Sequence, residues 1–238
     1  MAAPGLKYRR VLLKIGGESL AGERAFGIAP LAVQALAARI VEALDLGVEL
    51  AVVVGGGNFW RGGEHKNINR ATADYIGMLG TVMNAMALQE AIERLDVPTR
   101  VQTAIEMREV AEPYIRRKAV AHLEAGRLVI FAAGSGNPYF TTDTAGALRA
   151  MEIGAEALLK ATKVDGAYTD DPMTNPNATR IERTTYLEAL NNGLKILDAT
   201  AFSLCMDNNL PIIVFRLEDE GSLVRVLAGD QVGTLVAA

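Results

Sequence analysis

The chain has 238 residues, 50% hydrophobic and 22% charged, the balance of a globular protein with one large core or two small ones. A net charge of −4, with no basic run beyond Arg9–Arg10 and Arg116–Arg117–Lys118, argues against nucleic acid as a bulk partner. One cysteine, Cys205, excludes an internal disulfide, and two histidines, His65 and His122, leave too few ligands for a zinc site or a Cys–His nucleophile.

Taken in chain order, the predicted elements alternate. RRVLLKIG (9–16) reads as a buried strand. Residues 31–46 place Val33, Leu36, Ala37, Ile40, Val41 and Leu44 on one helical face, and Gly47 stops that helix. VELAVVVG (48–55) is the next strand, a long helix covers about 71–95, and Val97–Gln102 is a short strand. Pro113 is expected near the first turn of a helix ending before Gly126, followed by the strand RLVIFAAG (127–134). A helix over 142–153 and a strand over 156–162 come next. VDGAYTDDPMTNPNATRI then carries the turn signals of a hairpin or irregular lobe. A helix around 198–208, a strand over 210–215, a helix near 219–228 and a strand over 232–236 close the chain. This alternation predicts a three-layer α/β/α sandwich on a mainly parallel sheet. Two continuous lobes are expected within it, 1–160 and 161–238. Cys205 and Met206 fall on an apolar helical stripe and read as core, whereas Trp60 reads as either a packing residue or an interface anchor.

Three glycine-bearing loops follow predicted strands: KIGGES (14–19), GGGNFWRGG (55–63) and AGSGNPYFTTD (133–143). Bare backbone lets amides converge on an anion, each loop feeds a helix N-terminus, and Lys14 and Arg61 add two cations. One such loop is an ordinary turn. Three at one end of neighbouring parallel strands make a phosphate site, which in open α/β sheets lies beyond the carboxyl ends. Neither GxxxxGK[ST] nor a GxGxxG in register is present, so a P-loop ATPase and a nicotinamide dehydrogenase are both disfavoured. There is no GxSxG elbow either.

The charged residues nearby admit two readings each. Asp74 starts a helix, where it either complements the dipole or accepts hydrogen bonds from a sugar. Any of Thr141, Thr142 and Asp143 suits the cap of the following helix, and Asp143 also suits fixing nearby lysines or helping to hold Mg²⁺. KATKVDGAYTDDP (160–172) gathers Lys160, Lys163, Asp165, Tyr168, Asp170 and Asp171, either as a polar hairpin or as an aromatic platform with ribose-accepting carboxylates.

VLLKIGGESL, VVVGGGNFWRG, DYIGMLGTVMNA, GSGNPYFTTDTAG, KATKVDGAYTDDP and DATAFSLCMDNNLPIIVF, in this order over nearly the whole chain, resemble the bacterial uridylate (UMP) kinases of the amino acid kinase superfamily. The resemblance implies the reaction MgATP + UMP → ADP + UDP, with magnesium carried by the nucleotide rather than by a protein metal site. It places Lys14, Ile15, Gly16 and Gly17 along the ATP phosphates with Gly57 and Arg61, and Thr162, Tyr168 and Asp171 at the adenosine end. Gly56 and Asp74 would meet UMP, and Ser135, Gly136, Asn137, Pro138, Tyr139, Phe140, Thr141 and Thr142 would wrap its base and phosphate. Asp143 would organise the lysine that neutralises the transferring phosphoryl. The resemblance further implies a homohexamer activated by GTP and inhibited by UTP. The segment Gly22, Glu23, Arg24, Ala25, Phe26 and Gly27 corresponds to the one tied to the GTP response. Three departures stand out: Gly16 replaces a frequent Ser, Ser135 a frequent Thr, and the loop between Arg61 and Asp74 is a residue or two short.

This chemistry suits the composition. A phosphate monoester is mostly dianionic at neutral pH and needs no general base, so a chain poor in histidine can still catalyse its phosphorylation. MAAPGLKYRR lacks the apolar core of a signal peptide and no apolar run spans a bilayer, so a cytoplasmic setting is expected.

Overall fold

Alternate residues of the buried strands face opposite sides of one sheet, and that alternation builds the architecture. The computed structural model describes residues 5–61, 67–194 and 196–238. Gly62, Gly63, His65 and the question of the short loop after Arg61 lie outside the described residues. The elements run β1 (Arg10–Ile15), α1 (Glu18–Ala21), α2 (Pro30–Leu44), β2 (Glu49–Val54), α3 (Arg70–Glu93), β3 (Thr99–Thr103), β4 (Glu112–Pro113) and α4 (Arg116–Glu124). Then come β5 (Leu128–Ala132), α5 (Thr142–Ile153), β6 (Ala157–Thr162), β7 (Ala167–Tyr168), β8 (Arg180–Ile181) and β9 (Arg183–Thr185). The last are α6 (Tyr186–Asn191), α7 (Ala199–Asp207), β10 (Ile212–Arg216), α8 (Ser222–Ala228) and β11 (Thr234–Ala237).

The main sheet among the described residues has the order β4-β3-β5-β2-β1-β6-β10-β11-β9. Every pairing in it is parallel except β10 with β11. Val11, Leu13 and Ile15 of β1, with Leu50, Val52 and Val54 of β2, join a core formed with α2, α3 and α8. Leu12, Ala51 and Val53 point the other way, into a core with α4, α5, α6 and α7. This is the expected three-layer sandwich on a mainly parallel sheet.

Local chemistry explains the helix boundaries. α2 begins with Pro30 in its first turn, buries Val33, Leu36, Ala37 and Ile40, and is followed by Gly47 at φ 78°. Asn69 caps α3 by accepting from the Ala71 amide at 3.0 Å. The expected hairpin is the antiparallel pair β7-β8. Pro113 corrects the sequence reading: it pairs with Thr103 in the edge strand β4, where its missing N–H costs no ladder bond, and α4 starts only at Arg116. α6 was not expected, yet Thr185 and Glu188 form a capping box at its start. Cys205 is fully buried in the second core, and burial pushes its thiol up to about 12, as befits a packing residue. No helix among the described residues is long and apolar enough to cross a membrane.

Candidate active site

Strand order reverses at β1: its predecessor in space, β2, leads to one half of the sheet and β6 opens the other. A crevice forms beyond the carboxyl ends at such a switch point. Lys14 of β1 and Lys160 of β6 are register partners there, so their side chains leave adjacent strands on the same face. Two ammonium groups directly opposite each other repel. Asp143, in the first turn of α5, lies between them: one carboxylate oxygen is 2.7 Å from the Lys14 Nζ and the other 2.7 Å from the Lys160 Nζ.

All three side chains are largely buried. Burial alone would raise the Asp143 carboxyl, but the charges of Lys14 and then Lys160 outweigh it and hold the group below its ordinary value. Burial pulls Lys160 below its ordinary value, opposed chiefly by Asp143. The Lys160 ammonium also donates to the Ile196 carbonyl.

The bridge separates two cavities. One, of about 430 Å³, is lined by Lys14, Gly16, Gly17, Gly56, Gly57, Arg61, Asp74, Ser135, Phe140, Thr141 and Thr142. The other, of about 450 Å³, is lined by Lys160, Thr162, Tyr168 and Asp171. Of the remaining sequence candidates, the Ile15 side chain is fully buried in the core, so only its backbone reaches the site. Gly136, Asn137, Pro138 and Tyr139 form the outer part of the third loop. Tyr139 takes a left-handed φ of 73°, its amide donates to Asp74 at 2.8 Å, and its ring is exposed near the Arg70 guanidinium. A third cavity, of about 360 Å³, joins Gly22, Arg24, Ala25 and Phe26 to Glu18, Trp60, Arg61 and Lys163. Glu23 and Gly27 do not line it.

The first two glycine loops pack so closely that side chains are shut out. A Cβ on Gly56 would come within 2.5 Å of the Gly77 carbonyl in α3. One on Gly17 would lie 2.8 Å from the Gly55 carbonyl and 2.9 Å from the Gly57 amide. Beneath them, Asn58 and Asn84 exchange amide hydrogen bonds of 2.9 and 2.7 Å. Asn84 also donates to the Gly55 carbonyl at 2.7 Å, and Asn58 to the Gly27 carbonyl at 2.8 Å. Both amides are buried, and the pair ties the second glycine loop to α3 and to the 22–27 segment.

Four participants escaped the sequence reading. Arg70 forks onto Asp74 at 2.8 and 2.9 Å, a contact its i,i+4 spacing could have announced. Asn84 is a polar residue on a buried helix face, which demands a partner. Glu18 pairs with Arg61, and Asp198 accepts from the Thr141 and Thr144 hydroxyls while capping α7. Neither of these site contacts carries a local signal, because the partners lie 43 and 57 residues away; only the cap that Asp198 makes on α7 is local. The Thr141 hydroxyl accepts in turn from the amides of Asp143 and Thr144, so it caps α5. Among the described residues, no three His, Cys, Asp or Glu side chains cluster as metal ligands.

A parallel α/β/α sandwich with a cation-carboxylate bridge between glycine loops is the plan of a phosphotransferase. The pattern of the amino acid kinase family matches residues 9–216, and the chain belongs to that family. Within it, the fold is similar to that of the UMP kinase from Bacillus anthracis, 38% identical, with a TM-score of 0.93 over 97% of this chain and 96% of that one. The UMP kinase from Ureaplasma parvum is 34% identical, with a TM-score of 0.91 over 98% and 100%. The uridylate kinase from Archaeoglobus fulgidus is more distant, at 26% identity and a TM-score of 0.72 over 95% and 99%.

Proposed function

We infer that the chain transfers the γ-phosphoryl group of MgATP to UMP, giving ADP and UDP for pyrimidine nucleotide synthesis. The observation that carries this reading is the Lys14–Asp143–Lys160 bridge between two nucleotide-sized cavities. The likeness to solved UMP kinases supports UMP as the acceptor.

In this reading the lobe 161–238 takes adenosine through Thr162, Tyr168 and Asp171. The lobe 1–160 supplies the acceptor site through Gly56, Asp74 and the loop 135–142. The amides of 15–17 and Gly57, with Arg61, receive the ATP phosphates. The UMP phosphate oxygen attacks the γ-phosphorus in line, the bond to the β,γ-bridging oxygen breaks, and ADP leaves with that electron pair. No proton need be removed from a dianionic nucleophile, so the protein's task is positioning and charge compensation. Lys14 and Lys160 meet the transferring group at the junction of the cavities, in a crevice whose restricted water strengthens both. Magnesium would be carried by the ATP and would supply further charge neutralisation for its phosphates. Asp143 already serves two lysines, which argues against a resident metal there. The Thr141 hydroxyl is engaged with Asp198 and α5, which leaves Thr142 and the loop amides to read the uracil edge.

GTP activation and UTP inhibition fit the coupling of the 22–27 segment to the second glycine loop through Asn58. A homohexamer fits the exposed apolar stripe of α3, where Tyr75, Leu79, Met83 and Met86 all remain uncovered. A cytoplasmic setting fits the single buried cysteine. The test is ADP release from MgATP with UMP, CMP, carbamate or N-acetylglutamate, each with and without GTP. Turnover with UMP and not the others is expected; turnover with a carboxylate acceptor alone would overturn the reading.

A further inference from the structure

Glu18 is an anion inside an anion cradle. It opens α1 immediately after Gly17, and its carboxylate lies against both glycine loops. One oxygen is 2.7 Å from the point where a Cβ on Gly16 would sit, and the other abuts the corresponding point on Gly57. The same carboxylate accepts from the Arg61 guanidinium. It therefore occupies the gap between the bare backbones, in the cavity that Lys14 and Arg61 also line.

A phosphoryl oxygen would seek this gap for the same reasons: no side chain of either glycine loop fills it, and one guanidinium faces it. A carboxylate fixed there opposes any phosphate that enters. We propose that Glu18 is a positioning residue that stands in for phosphate, holding Arg61 beside the two glycine loops until an incoming nucleotide phosphate takes Arg61 from it. The exchange keeps the guanidinium ordered in the ligand-free protein, so that less side-chain freedom is lost on binding. The cost is weaker binding of every phosphate ligand, because each must displace an internal competitor. This inference rests on the kinase reading above, in that it takes the 16–17 and 55–57 loops as the ATP phosphate site.

The test replaces the charge and keeps the shape. Glu18→Gln leaves an amide oxygen for Arg61 but no anion, and Glu18→Ala removes both; the side chain is 32% exposed, so neither variant strips a buried core. MgADP binding is followed by the emission of Trp60, the one tryptophan in the chain, which lines the same cavity. Both variants should bind MgADP about 3- to 5-fold more tightly than wild type, the range expected for losing a half-exposed ion-pair competitor. The gap should close as sodium chloride is raised to about 0.5 M, because exposed charges are then screened. The KM for MgATP should fall with the Kd, while kcat does not rise. Unchanged or weaker binding in both variants would overturn the proposal. So would weakening for MgADP but not for metal-free ADP, which would make Glu18 a partner of the metal. MgADP binding needs no acceptor, so the two readings fail separately. Tightening without UMP turnover sinks the UMP kinase reading alone, and UMP turnover without tightening sinks this one alone.

Discussion

Asp143→Asn is the substitution that tests the site most directly. It keeps the size of the side chain and removes the one charge shared by Lys14 and Lys160. Those side chains are 12% and 15% exposed, and Asp143 itself is 14% exposed, so water cannot replace what is lost. Breaking a buried pair by neutralising one partner costs about 3–5 kcal/mol, because the surviving charge is left uncompensated. Here two ammonium groups survive, facing each other at partner positions of adjacent strands. Their mutual repulsion, no longer offset by a carboxylate between them, adds to that cost. The protein relieves it by releasing a proton from Lys160, which burial already pulls below its ordinary value. The net loss should therefore sit at the low end, about 3 kcal/mol at neutral pH, or a fall in Tm on the order of 6–12 °C for a chain of this size.

Thermal unfolding followed by circular dichroism at several pH values reads this out, with a sign that a packing defect would not share. Lys160 has a folded value below its ordinary 10.5, so stability rises with pH between those two values. In the variant that rise should begin lower and be steeper than in the wild type, since the carboxylate that chiefly holds the proton on is gone. Turnover of UMP should fall by about a hundredfold, the scale of losing one preorganised electrostatic group. A variant that keeps the wild-type Tm and pH slope would refute the account of the bridge, whatever its activity.

Lys14→Ala should abolish most turnover while UMP still binds, by equilibrium titration; full activity would remove Lys14 from the reaction. Asp74→Asn should raise the KM for UMP and leave that for MgATP near wild type, because Asp74 holds the Tyr139 amide of the 135–142 loop, the proposed acceptor loop, as well as lining the cavity beside it. Asn84→Ala should cost about 2–3 kcal/mol in chemical denaturation, since it leaves the buried Asn58 amide and the Gly55 carbonyl each short of a partner. In the wild type, the stability contributed by Asp143 should be fully present above its ordinary 3.8 and lost as pH falls through its lowered folded value, so Asp143→Asn should flatten that part of the acid-unfolding curve.

The sandwich was legible because its signals are periodic and local. The β-branched runs at 48–55 and 127–134 and the i,i+3,i+4 stripe from Val33 to Leu44 each specify an element and its buried face. The edge of the sheet was less so. Pro113 looks like a helix opener in sequence, and only pairing with β3 makes it a strand residue. In the site, the glycine loops announced themselves, since backbone exposure is a property of single residues. Contacts that depend on register did not. Lys160 stood among several charged residues of the 160–172 segment, and nothing in that segment says that it lies opposite Lys14. Glu18 and Asp198 are likewise defined by partners far along the chain.

Electrostatics gives these long-range pairs a common logic. Among the described residues, four cations line the two cavities: Lys14, Arg61, Arg70 and Lys160. Each is already held by a carboxylate, the lysines by Asp143, Arg61 by Glu18 and Arg70 by Asp74. A bare cluster of four positive charges would bind polyanions tightly and indiscriminately, and would strain the fold when empty. With three carboxylates interleaved, binding a phosphate becomes an exchange of partners instead of a simple attraction. The exchange favours ligands that satisfy several cations together in fixed geometry. Two nucleotides whose phosphates meet at the Lys14–Lys160 junction can do so, whereas a lone inorganic anion satisfies one cation and leaves the others where they were. On this argument inorganic phosphate should compete poorly with MgATP at concentrations where UMP turnover is half-maximal, and strong competition would mean that the carboxylates do not gate the cradle.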